Sequence, residues 1–125
     1  MKTPQSMRAL EDLGRVRLSE NFFMRDFLYS EIANFYRLQN IPDDPDLAIM
    51  AGRKLCEEAL EPLQARFGKI SIRSAYRSPE VNRFGNQHNL NCGSNESNFG
   101  GHIWDRRTAK GEIGACATIV VDSLL

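Results

Sequence analysis

From Met24 to Leu38 the apolar residues Phe27, Leu28, Ile32, Phe35 and Leu38 recur at three and four, the pattern of one amphipathic helix or two short ones. A longer ridge follows: Leu47, Ala51, Leu55, Ala59 and Leu63 step by four and are widened by Met50 and Cys56. Before it, Asn40 to Asp46 holds Pro42, Pro45 and three aspartates, a loop that ends in an N-cap at Asp44 or Asp46. Pro62 lies inside the ridge and predicts a kink, because proline has no N–H and its ring crowds the preceding turn. Gly68 marks the C-cap.

The period then changes to two. Lys69 to Ala75 alternates apolar and polar residues and predicts a strand with one buried face. Ser78-Pro79 opens a short helix over Pro79 to Phe84, with Ser78 as cap. From Gly85 to Gly101 the chain is rich in Asn, Gly and Ser and nearly free of apolar residues, a length that more often marks a functional loop than a connector. Order resumes at His102-Ile103-Trp104-Asp105, a turn is expected around Lys110-Gly111, and Gly114 to Val121 predicts a central strand. Met1 to Arg17 mixes charge with scattered leucines and reads as a loose lead-in of residues 1–17. A single domain is expected over 18–125. The expected architecture is α+β: helices packed on a small, mainly antiparallel sheet of the Ile70 strand, a segment near Ile103 and the Ile119 strand.

Composition narrows the function classes. The 16 basic and 16 acidic residues cancel, so charge gives no argument for nucleic acid or an anionic membrane. No apolar run approaches the length of a membrane span, and Met1 to Arg17 lacks the apolar stretch of a secretory signal. Three cysteines, Cys56, Cys92 and Cys116, show no C-x-x-C spacing and cannot close a disulfide framework. These features point to a reducing, cytoplasmic setting.

The chemistry is concentrated in Ser74-Ala75-Tyr76-Arg77-Ser78-Pro79-Glu80-Val81-Asn82, followed twenty residues later by His102. A strand-to-helix junction there presents a fixed cation, Arg77, beside a polar loop, and a histidine nearby can hold a metal. Each residue also has a plainer reading: Arg77 paired with Glu80, and His102 hydrogen-bonded at a strand start beside Trp104.

With Leu18-Ser19-Glu20-Asn21-Phe22 and Leu60-Glu61-Pro62-Leu63, the order of features resembles the zinc D-alanyl-D-alanine carboxypeptidases, whose fold is shared by hedgehog signalling domains. The resemblance covers about residues 18 to 121. It implies a hedgehog/DD-peptidase-like fold, a zinc cofactor and hydrolysis of cell-wall peptides. Carried over, Arg77 takes a substrate or oxyanion role, flanked by Tyr76 and Ser78 as substrate-binding residues. His102 becomes the first metal ligand. Asp105 stands in as the second if the segment turns, because Thr118 occupies the position of the family's aspartate in Gly114-Ala115-Cys116-Ala117-Thr118. The family's third ligand, in a Trp-x-His, has no counterpart before Leu125. The expectation is therefore a carboxypeptidase-like domain, incomplete at its C-terminus, with weak or no activity, or a non-catalytic peptide- or protein-binding relative. A wall substrate would require delivery by another route. An uncovered sheet edge at Ala117–Val121 would favour self-association.

Overall fold

Trp104 is the hub of the core. It is fully buried, with the rings of Phe27 at 5.3 Å and Tyr76 at 6.1 Å, and Phe22 extends the cluster from Phe27 at 5.9 Å. The computed structural model describes all residues, 1–125. The chain is a small α+β protein in which helices surround a two-stranded antiparallel sheet.

The lead-in is more ordered than its composition predicts. Helix α1 spans Met7–Gly14, with Ser6 as its N-cap, and Leu13 is buried in the core. The Met24–Leu38 pattern resolves into two short helices, a 3-10 turn Met24–Phe27 and α2, Glu31–Tyr36, capped by Ser30. Helix α3, Pro45–Leu55, begins at the cap Asp44, whose side chain accepts the Leu47 amide at 3.2 Å.

The kink expected at Pro62 takes the form of a π-turn, Cys56–Leu60, in which the Glu61 amide reaches back to the Cys56 carbonyl. Helix α4, Glu61–Phe67, continues from it. Proline at 62 cannot donate to the ladder and crowds the carbonyl four residues back, so one wider turn absorbs the mismatch. The extra residue rotates the buried face. Ala48, Ala51, Gly52, Cys56 and Leu60 face the core, while Ala59 and Met50 of the expected ridge are exposed. Gly68 ends α4 at φ +85°, a conformation that side chains rarely adopt.

Strand β1, Ile70–Ser74, pairs antiparallel with β2, Thr118–Val121, with Ile72 opposite Ile119 and a register irregularity before Ser74. Two expectations are corrected here. The segment near Ile103 is not a strand: it turns, and only a single bridge links Phe99 to Ile103. Gly100, at φ +70°, and the Ile103 amide donating to the Asn98 carbonyl hold this segment in a tight turn. The Gly114–Val121 run is not a central strand, since only its second half pairs, and only with β1.

Helix α5, Pro79–Gln87, follows β1 with Ser78 as cap and extends past Phe84 into the segment expected to be loop. A one-turn helix α6, Asn95–Asn98, lies within the Asn/Gly stretch. No helix is long and apolar enough to cross a membrane.

The separate sequence signatures meet in space. Glu61 accepts from the Ser19 hydroxyl, the Asn21 amide (2.7 Å) and the Asn21 side chain (2.7 Å), tying the Leu18–Phe22 segment to the start of α4.

Candidate functional site

The Ser74–Asn82 junction is built by backbone shortage. As β1 ends, Tyr76 donates its amide to the Phe27 carbonyl at 3.2 Å and Arg77 donates to the His102 carbonyl at 2.8 Å. Asn40 braces the turn from outside: its Nδ2 donates to the Leu28 and Tyr76 carbonyls, each at 2.9 Å, and its Oδ1 accepts the Ser78 amide at 2.7 Å. Ser78 then caps α5, accepting the Val81 amide while donating to the Gln39 carbonyl. A main chain leaving a strand edge has amides without ladder partners, and one asparagine satisfies three such groups.

The junction brings Arg77 and His102 together. His102 Nδ1 lies 2.6 Å from the Ala75 carbonyl. A carbonyl only accepts, so the proton resides on Nδ1 and the neutral ring presents its lone pair at Nε2. Nε2 has no partner within the protein. Burial lowers the His102 pKa below its ordinary value and the Arg77 charge adds to this, while the bond to Ala75 opposes it. A neutral imidazole oriented by a carbonyl on its far nitrogen is the form that accepts a proton or ligates a metal.

Arg77 is half-buried, and one terminal nitrogen donates to Asn98 Oδ1 at 3.3 Å. Its Nε–H is buried with no acceptor in the protein. Cys116 is also within reach of the Arg77 charge. Burial raises its thiol pKa, and the guanidinium partly offsets this. Cys116 is anchored through its amide to the Gly101 carbonyl at 3.0 Å and through its carbonyl to the Trp104 indole at 3.2 Å.

Asp105 does what the turn requires but points elsewhere. Its Oδ2 accepts the amides of Asp43 (2.8 Å) and Asp44 (3.2 Å), and its Oδ1 accepts the Tyr76 hydroxyl at 3.0 Å. Arg106 adds a contact at 3.3 Å and reaches Asp43 at 2.9 Å. Both carboxylate oxygens are thus committed to joining the start of α3 to the core. Tyr76 is fully buried, and both burial and the Asp105 charge push its phenol pKa upward. Ser78 is 4% exposed. In place of the substrate contacts expected of them, Tyr76 and Ser78 position the junction on which Arg77 stands, because their polar atoms are already bonded within the fold.

The residues present do not compose the three-ligand centre of catalytic zinc by themselves. No three His, Cys, Asp or Glu side chains are grouped as a metal site. Of the two expected ligands, only His102 keeps a free donor atom. His88 is exposed, stacked on Phe84 at 3.9 Å and bonded to the Phe84 carbonyl.

Pattern reading missed Asn98, Asn40 and Cys116. The Asn/Gly stretch had been marked as functional, which covers Asn98, but nothing in its spacing distinguishes that asparagine from its neighbours. Compared with protein-family models, with curated proteins and with solved structures, the chain matches none.

Proposed function

We propose that this chain is a carboxypeptidase-like domain of the zinc D,D- or L,D-peptidase type that engages a cell-wall peptide, or a similar peptide, at Arg77 and His102. By itself it carries little or no hydrolytic activity. One observation above all supports the reading: two residues twenty-five apart, which the resemblance assigns to one site, lie on adjacent strands of main chain joined by the Arg77–His102 hydrogen bond. Arg77 contributes a buried N–H without an acceptor, suited to a carboxylate or a carbonyl oxygen of the peptide. His102 contributes Nε2 as a base or as one metal ligand.

The low activity follows from the donor set. His102 is the single free ligand this chain brings to the site, so stoichiometric zinc there needs donors from elsewhere. The reading whose specific support is Arg77 is therefore peptide binding, with hydrolysis absent or weak.

Metal analysis of the purified chain, with an assay of D-alanine release from a D-Ala-D-Ala peptide, tests the proposal. The expected results are zinc well below one equivalent, no release, and peptide binding weakened about tenfold by Arg77→Ala, the scale of one charge-assisted hydrogen bond. Zinc-dependent release that disappears in His102→Ala would show the activity assignment to be wrong. Peptide binding indifferent to Arg77→Ala would remove the site itself.

A further inference from the structure

The largest cavity lies away from Arg77 and His102, neither of which lines it. It is an open cleft of about 900 Å³ between α1, α2 and the first turn of α5. That volume suits a ligand the size of a short peptide. Its floor is apolar, with Leu10, Leu28 and Leu38 half-buried along it.

The charges at its two ends are uncommitted. Arg25 lies beside Gly14 at the end of α1, its guanidinium stacked on the Phe23 ring at 4.7 Å, and it makes no hydrogen bond or ion pair. The neighbouring Arg15, by contrast, is paired with Glu11 and Asp12. From Arg25 the wall runs through Leu28 and Asn40, joined by a hydrogen bond, to Ser78 and then Glu80. Glu80 also has no ion-pair or hydrogen-bond partner. Between the ends, the side-chain amides of Asn34 and Gln39 line the cleft without partners.

We propose that this cleft binds a short, extended peptide with both ends free, its carboxylate on Arg25 and its amino group on Glu80. The side-chain amides would meet the peptide's backbone, and the leucine floor its apolar side chains. A single unpaired guanidinium facing a single unpaired carboxylate matches a zwitterion. It does not match a phosphate-bearing ligand, which would meet Glu11 and Glu80 with only one free cation. The inference does not rest on the Arg77–His102 reading.

Calorimetric titration of the whole chain with Ala-Leu-Ala-Leu, with its C-terminal amide and with its N-acetyl form tests it. The free peptide is expected to bind, and each blocked form to bind about tenfold more weakly, the scale of one partly exposed charged contact. Arg25→Gln should weaken the free peptide to the level of the amide while leaving the amide unchanged, and Arg25→Lys should restore part of the loss. Glu80→Gln should do the same with respect to the acetylated form. Both side chains are exposed, so an unchanged melting midpoint will show that the variants fold. Equal binding of free and blocked peptides, or none at millimolar concentration, overturns the proposal. So does binding abolished by Arg77→Ala, which would instead move the peptide to the other site and favour the reading given above.

Discussion

Replacing Asp105 with alanine should be among the most damaging single changes in this protein, and for a reason unrelated to metal. The side chain is 1% exposed and accepts four hydrogen bonds: two from the amides that open toward α3, one from Tyr76 and one from Arg106. Alanine leaves the buried Tyr76 hydroxyl and the Asp43 and Asp44 amides without an acceptor. Each such orphan costs about 1–3 kcal/mol, although the amides sit nearer the surface and water can replace part of what they lose. A total loss of about 3–5 kcal/mol follows, a large share of the roughly 5–15 kcal/mol that stabilises a domain of this size. Asp105→Asn should cost less, about 1–2 kcal/mol. Its one oxygen can keep the two amides, while the Tyr76 hydroxyl rotates to accept from the new NH2. Urea unfolding followed by circular dichroism gives both values, provided the slopes stay equal. A loss below about 1 kcal/mol for Asp105→Ala would refute the reasoning, since it would mean that the buried donors find other partners. Zinc added to either variant should not change the result.

Gly52→Ala should destabilise the protein although alanine is the better helix former. The added Cβ would lie 2.8 Å from Trp104 Cζ3 and 3.1 Å from Leu18 Cδ1, and the buried indole has nowhere to move. Overpacking of about 1–3 kcal/mol outweighs a helix gain of about 1 kcal/mol, so a raised urea midpoint would count against this packing. Glu61 should shape the acid limb of stability. Burial alone would raise its pKa, but the donors on Ser19 and Asn21 outweigh burial and hold the carboxyl below its ordinary value of 4.5. Its contribution is therefore complete above about pH 4.5 and fades as pH falls through the lower folded value, because the unfolded chain takes up the proton first. Glu61→Gln should flatten the decline of melting temperature below pH 4.5 relative to the parent, and an unchanged slope would sink the assignment.

Local signals in the chain carried the local structure. Asp44 and Ser78 as caps, Pro62 as a disturbance, Gly68 as a stop and the alternation over Ile70–Ser74 all act within a few residues, where propensity and the missing proline N–H decide the outcome. The buried face of α3 could not be read in the same way. A π-turn of one extra residue shifts everything after it, and Gly52 is buried because Trp104, fifty-two positions later, packs over it.

The candidate site divides along the same line. Arg77 and His102 were visible as residue types in a specific motif, and the chain alone placed both. Whether Asp105 would join them depended on a turn at Gly100 and on two amides sixty residues upstream, which claim its oxygens first. Tyr76 and Ser78 likewise look like ligand contacts in a motif, yet are consumed by the fold's own unpaired donors and acceptors. Sequence settles which groups are present and what each stretch of backbone prefers. Which of those groups remain free to meet a ligand is decided by long-range satisfaction of buried polar atoms, and only the tertiary structure performs that selection.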